Sequence, residues 1–179
     1  MNKDKKISSD ESIKLLARAG LIAALYVVLT VVFAPFGFKE IQVRISEMLT
    51  ILPFFTVAGI PGITIGCVLG NMLSGAPLPD IIFGSLASFI GAVGTYLIGR
   101  MYRKNHPVRE EVKIRKLIPA TIPPIIANAL IIPFVIKYAY GTPMAIWIMM
   151  LTIGFGEILS CGVLGTIFGR AISKRKRII

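Results

Sequence analysis

The chain has 179 residues, of which 55% are hydrophobic and only 16% are charged, and its mean hydropathy is +0.77. Soluble domains carry about 25% charged residues, so this composition excludes an ordinary soluble protein and indicates a single integral membrane domain over residues 1–179. The formal net charge of +11 raises nucleic acid as a partner, and the placement of the basic residues decides that question.

The basic residues form clusters beside the hydrophobic segments. Seventeen of the 20 lysines and arginines lie within residues 1–18, 100–116 and 170–177. Because basic residues collect on the cytoplasmic side of membrane proteins, this pattern predicts that both termini and the central loop are cytoplasmic. It argues against nucleic acid and favours the lipid bilayer, with its anionic head groups, as the partner of these clusters.

Hydrophobic segments and helix-breaking residues predict an all-α fold of six transmembrane helices. The predicted spans are residues 13–33, 45–58, 63–73, 80–102, 117–136 and 144–172. Glycine and proline clusters predict the breaks between them, including a turn at residues 59–62. The second and third spans are short against the roughly 20 residues that a crossing needs. The fifth carries several prolines, a pattern typical of kinked helices that line cavities.

A few polar residues interrupt these spans, and hydrocarbon makes an unpaired charge costly. Arg44 and Glu47 share one helix face near the outer end of the second span. Glu157 lies near the middle of the sixth span, where a carboxylate needs a partner, a proton or a ligand. We therefore predict a ligand pocket open to the outside. Its candidate residues are Gln42, Arg44, Glu47, Asn71, Asp80, Asn128, Trp147 and Glu157.

Each candidate also has a purely structural explanation. Arg44 and Glu47 can form an ion pair that serves only stability, and Asp80 can cap the fourth helix. The two asparagines can bridge helices through hydrogen bonds. Trp147, the single tryptophan, can anchor in the membrane interface instead of stacking on a ligand.

The sequence lacks the motifs of ATPases and of most enzymes. It contains no Gly-x-x-x-x-Gly-Lys-Ser/Thr loop, no metal-ligand spacing and no nucleophile–base pair. Cys67 and Cys161 are predicted to be free buried thiols. We predict a binding or transport protein without cofactor or metal, with any ATP hydrolysis on separate subunits. The alternatives are a stand-alone carrier or channel driven by an ion gradient, and a membrane enzyme that acts on lipid.

Small residues mark one face of the first helix. Ala19 and Ala23 form a small-x-x-x-small motif, with Gly20 and Ala24 beside it. Such a face lets another helix approach closely, and that helix belongs either to this chain or to a partner subunit.

Several stretches resemble the substrate-binding S component of an energy-coupling factor transporter, most closely the queuosine-precursor family. The resemblance extends from Ala19 to about Arg170. The stretches that carry it are Gln42–Glu47 with Leu49-Thr50, Ile65–Asn71, Asp80–Leu86 and Gly156-Glu157.

The resemblance implies a six-helix subunit of an ATP-driven importer in the cell membrane of a prokaryote. Its implied partners are a transmembrane coupling subunit, which would meet Ala19 and Ala23, and two cytoplasmic ATPases. The implied substrate is 7-aminomethyl-7-deazaguanine or queuine. One carboxylate can accept the adjacent N–H donors of the guanine edge, and a second can hold a protonated aminomethyl group. Glu47, Asp80 and Glu157 are three candidates for these two roles.

Overall fold

The computed structural model of the protein describes residues 9–34, 43–105 and 111–174, and within these ranges its only regular secondary structure is helical. Four of its helices are long and apolar enough to cross a membrane, and two shorter apolar helices accompany them. The long helices are α1 (Ser9–Val32), α3 (Leu78–Asn105), α4 (Ile114–Ala139) and α5 (Ile146–Lys174). The short ones are a 3₁₀ helix (Ile45–Phe54) and α2 (Gly59–Leu73). A π-helical segment, Ile158–Leu164, interrupts α5.

The described helices pass through the bundle in alternating directions. Gly62 packs against Ala19 and Gly70 against Thr30, so α1 and α2 run parallel, and the 3₁₀ helix returns between them. The later neighbours run antiparallel. Their contacts are Gly84 with Ile132 and Thr95 with Ala120 for α3 and α4, and Gly154 with Ala129 and Gly169 with Leu117 for α4 and α5.

The two ends of the bundle differ in charge. We call one the basic end, because α1 begins there and α5 ends there among many basic residues. These include Lys14, Arg18, Arg100, Arg103, Lys104, Lys113, Arg115, Lys116, Arg170 and Lys174. Arg170 donates to Glu111 at 2.8 Å and to the Val112 carbonyl at 3.0 Å, which ties α5 to the start of α4. At the opposite end, Gly75 and Gly141 have φ values of 72° and 65°, which glycine adopts without steric cost.

The 3₁₀ helix is buried on several sides, and its period explains how. With about three residues per turn, every third side chain points the same way. Leu49 and the partly buried Leu52 pack with Ile22 of α1, whereas Ile51 and Phe54 pack on the other side. With a rise of about 2.0 Å per residue, this short helix spans about 20 Å, which is more than an α-helix of the same number of residues would span.

The boundary between the second and third helices differs from the prediction. The sequence predicts a turn at residues 59–62, but α2 already begins at Gly59, and the 3₁₀ helix ends at Phe54. Pro61 lies in the first turn of α2, where its missing N–H has no helical partner to lose. The Gly-Ile-Pro-Gly segment therefore starts a helix here, and the turn precedes it.

Glycines on α2 bring it into backbone contact with α1. Gly62, Gly66 and Gly70 recur every four residues, and a Cβ built on Gly66 would lie 3.1 Å from the Cα of Ala23. Ala19 and Ala23 are each only 8% exposed. The small-residue face predicted to meet a partner subunit is thus occupied by α2 of the same chain. Small side chains on both helices explain this close approach.

We expect Gly66→Ala to destabilise the protein by about 1–3 kcal/mol, because the new methyl group would overpack the contact between α1 and α2. Its Cβ would lie 2.7 Å from the Cβ of Tyr26. Gly20→Ala is the matched control, since a Cβ at Gly20 meets nothing within 4 Å. Thermal unfolding of both purified variants measures the difference. Equal melting temperatures would contradict the proposed packing.

Candidate functional site

Charged side chains lie inside the bundle although most of its interior is apolar. Among the residues that the structure describes, the buried charged side chains are Arg44, Glu47, Asp80 and Glu157, with exposures of 5%, 0%, 3% and 3%. One formal positive charge therefore accompanies three formal negative charges. Burial of charge without full compensation is costly, so this group requires an explanation beyond packing.

Glu47 lies at the centre of this group. Its Oε1 accepts a hydrogen bond from the hydroxyl of Tyr26 on α1, and Ser88 of α3 donates to the same oxygen at 3.3 Å. Its Oε2 has no hydrogen-bond partner among the described residues. A fully buried carboxylate oxygen is thus held in place with acceptor capacity to spare.

A second network joins the start of the 3₁₀ helix to α2 and α3. Arg44 donates to Oδ1 of Asn71 at 2.8 Å, and the Asn71 amide lies 3.4 Å from the backbone oxygen of Asp80. Cys67 lies 3.7 Å from the same Arg44 nitrogen. These contacts orient Arg44, whose guanidinium always carries a positive charge.

Asp80 accepts a hydrogen bond at the opposite end of the bundle. Tyr140, which directly follows the last residue of α4, donates to Oδ2 of Asp80 at 2.8 Å. Burial, and to a smaller extent the facing Asp80 carboxylate, raises the pKa of Tyr140 above its ordinary value. The hydroxyl therefore stays protonated as a donor, and this bond ties the start of α3 to the end of α4.

Glu157 reaches the centre from α5. Cys161 donates to its Oε2 at 3.1 Å, and Thr50 of the 3₁₀ helix lies 3.3 Å from the Cys161 sulfur. Glu157 immediately precedes the π-helical segment, a feature frequent at functional sites. Ligand atoms of Glu47, Glu157 and Cys161 all lie within 4.8 Å of one another.

Asn128 of α4 completes this centre. Its side chain is 1% exposed and lies beside the Glu157 carboxylate. Its amide group interacts with that carboxylate, whereas its amide oxygen has no hydrogen-bond partner in the described part of the chain. Leaving a buried polar group unsatisfied costs about 1–3 kcal/mol, so this buried amide oxygen is unusual. We call Glu47, Glu157, Asn128 and the side chains bonded to them the central cluster.

The central cluster lies deep in the bundle. Ser88 is ten residues beyond Leu78, and Glu157 is eleven residues beyond Ile146, where α3 and α5 begin. At 1.5 Å per residue, both lie about 15 Å from the opposite end. Arg44 and Asp80 lie between that end and the cluster, so the buried polar residues form a row from the opposite end inward, which we call the polar path.

Two predicted site residues do not join this path. Trp147 is 64% exposed on the surface of the bundle, in the first turn of α5, which suits a membrane-interface anchor better than a wall of the site. Gln42 lies outside the described residues. The structure brings together the other candidates, namely Arg44, Glu47, Asn71, Asp80, Asn128 and Glu157.

Several residues that complete the site were not predicted from the sequence. Tyr26 and Ser88 both donate hydrogen bonds to Glu47, Cys161 donates to Glu157, and Tyr140 donates to Asp80. One signal was available, because a tyrosine inside a span needs a partner for its hydroxyl. The others are ordinary residues of a transmembrane helix, and only their neighbours reveal their roles.

The family model and the curated relative that match this chain name the same transporter family. The model of the family described as "QueT transporter" matches residues 16–174. The queuosine precursor transporter QueT of Lactococcus lactis subsp. cremoris (strain MG1363) is 39% identical over 72 residues, which are 39% of this chain and 42% of that protein. The match to this relative thus covers less than half of either protein. No solved structure matches the chain.

Proposed function

The chain belongs to the QueT transporter family, and we propose that it binds a queuosine precursor for import. The proposed substrate is 7-aminomethyl-7-deazaguanine or queuine. The observation that carries this proposal is the central cluster, in which Glu47 and Asn128 keep buried hydrogen-bonding atoms without partners. A ligand rich in donors and acceptors would satisfy them.

The chemistry of a 7-deazaguanine fits the polar path. Its guanine edge presents adjacent N–H donors for a carboxylate, and its carbonyl oxygen accepts from a guanidinium or an amide. Carboxylates, the Arg44 guanidinium and the amides of Asn71 and Asn128 supply these groups along the polar path. A purely apolar solute would leave Oε2 of Glu47 and the amide oxygen of Asn128 without partners.

Mass spectrometry of the small molecule that copurifies with the protein tests this proposal. The expected species is a 7-deazaguanine, released by mild denaturation in near-stoichiometric amount. The Arg44→Met variant should release much less of it. Release of an unrelated solute in stoichiometric amount would contradict the proposed substrate.

We further propose that import is driven by ATP through a separate coupling subunit and two cytoplasmic ATPases. The sequence has no nucleotide-binding loop. Because α2 covers Ala19 and Ala23, the proposed contact with the coupling subunit lies on the exposed side of α1, at Gly20 and Ala24.

We expect Gly20→Leu to weaken copurification of the coupling subunit, because a bulky side chain would separate two closely packed helices. Ligand binding should persist, since nothing lies within 4 Å of a Cβ at Gly20. Copurification and ligand titration of the same variant separate the two effects. Uptake by the chain alone in liposomes under an ion gradient would support a stand-alone carrier instead.

The proposed topology has six crossings with both termini in the cytoplasm. It is supported by the alternating helix directions and by the clustering of basic residues at one end. On this topology the opposite end, where the polar path begins, faces the outside.

We expect a cysteine at Asn105, at the basic end, to resist a membrane-impermeant maleimide in intact cells and to react after permeabilisation. A cysteine at Pro143, at the opposite end, should react in both conditions. The native thiols, Cys67 and Cys161, are 0% exposed and should add little background. Labelling of Asn105→Cys from outside would contradict the topology.

A further inference from the structure

We infer that Glu47 and Glu157 together form a subsite for a positively charged ammonium group on the substrate. The protein would then prefer amine-bearing 7-deazaguanines over neutral ones of the same shape. This inference rests on the proposed function and assigns roles to carboxylates that the sequence left unassigned.

The first argument is the position of the two carboxylates. An oxygen of Glu47, an oxygen of Glu157 and the Cys161 sulfur lie within 4.8 Å of one another. Both carboxylates are buried, so little water screens their repulsion. Two such groups cannot both stay ionised without a nearby cation or a shared proton. An ammonium group placed between them would supply that cation.

The second argument is the charge of the whole path. The four buried charged side chains of the described residues carry one formal positive and three formal negative charges. Arg44 bonds Asn71, on the side of the path towards Asp80. One arginine cannot offset three carboxylates, so a cationic ligand beside Glu47 and Glu157 would offset part of the remaining formal negative charge.

The third argument is the set of free acceptors, which is independent of the carboxylate spacing. Oε2 of Glu47 and Oδ1 of Asn128 have no hydrogen-bond partners within the described ranges, and Asn128 lies beside Glu157. An alkylammonium group has three N–H donors. Glu47 and Asn128 offer a free acceptor for two of them, and the Glu157 carboxylate, which already accepts from Cys161, can accept the third.

Asp80 is a poorer candidate for the same role. Its Oδ2 already accepts a hydrogen bond at 2.8 Å from Tyr140, the residue that follows α4. It also lies nearer the opposite end than the central cluster does. Asp80 and Arg44 therefore lie on the approach to the site, and Glu47 and Glu157 remain as the partners of the ammonium group.

Titration calorimetry with matched ligands tests the inference. The probes are 7-aminomethyl-7-deazaguanine, which is cationic, and its neutral 7-hydroxymethyl and 7-cyano analogues. We expect the amine to bind about tenfold to a hundredfold more tightly, as for a charge-assisted bond in a buried site. Comparable affinities for all three would overturn the subsite and leave the proposed function standing. Failure of all three to bind would overturn the proposed function as well.

The Glu157→Gln variant tests whether Glu157 is responsible for the preference for the amine. It should lose about tenfold or more in affinity for the amine but only about threefold or less for the hydroxymethyl analogue. Glu111→Gln, a surface carboxylate at the basic end with a 45% exposed side chain, is the matched control and should leave both affinities unchanged. A preference for the amine that survives in Glu157→Gln would overturn the assignment. So would stoichiometric Zn²⁺ binding by the wild type without any preference for the amine.

Discussion

Replacing Glu47 by glutamine is expected to lower the affinity for 7-aminomethyl-7-deazaguanine by tenfold to a hundredfold. The carboxylate accepts from Tyr26 and Ser88 through one oxygen and has its other oxygen free. Glutamine keeps the shape but replaces an acceptor oxygen by an N–H donor. A lost bond to a charged group costs about 1.5–3 kcal/mol, which corresponds to that loss of affinity.

Titration calorimetry of the purified variant measures this loss. Glu111→Gln removes the same charge at the basic end and serves as the control. Trp147→Phe provides a second control, because Trp147 lies on the bundle surface away from the central cluster. Wild-type affinity in Glu47→Gln would reduce this residue to a structural role.

Replacing Arg44 by methionine is expected to lower stability more than any other change discussed for this site. Arg44 is 5% exposed and bonds Asn71 at 2.8 Å, among three buried acidic side chains. Breaking a buried charge network leaves its partners uncompensated and costs about 3–5 kcal/mol. For a protein of this size, that corresponds to a fall in melting temperature of roughly 6–20 °C.

Arg170→Met is the matched control for this prediction. Arg170 also pairs with a carboxylate, at 2.8 Å, but the two side chains are 30% and 45% exposed. Surface ion pairs contribute about 0–1 kcal/mol, so its melting temperature should change little. Equal falls in the two variants would show that the charges around Arg44 are not coupled as the structure indicates.

Much of the helical arrangement could be predicted because it depends on local signals. Hydrophobic length predicted the four long helices, and the clusters of glycine and proline predicted breaks around Gly75 and Gly141. The start of α2 could not be predicted this way. Gly-Ile-Pro-Gly is compatible with a loop turn and with the first turn of a helix, and only packing against α1 and the 3₁₀ helix selects the helix.

The site was predictable in part, because a charge inside a hydrophobic span is conspicuous in any sequence. That rule selected Arg44, Glu47 and Glu157, which the structure brings into one buried path. It could not reveal Tyr26 or Cys161, whose roles depend on contacts with residues far away in the chain. Nor could it show which helix covers Ala19 and Ala23, since a small-residue face fits an internal and an external helix equally well.

The central claim is that the buried polar path binds a 7-deazaguanine, and direct titration of the purified wild-type protein tests it. We predict saturable binding of one 7-aminomethyl-7-deazaguanine per chain, with guanine binding more weakly because it lacks the ammonium group. Thermal unfolding of the same sample confirms that it is folded. Absence of saturable binding by that folded protein would contradict the account.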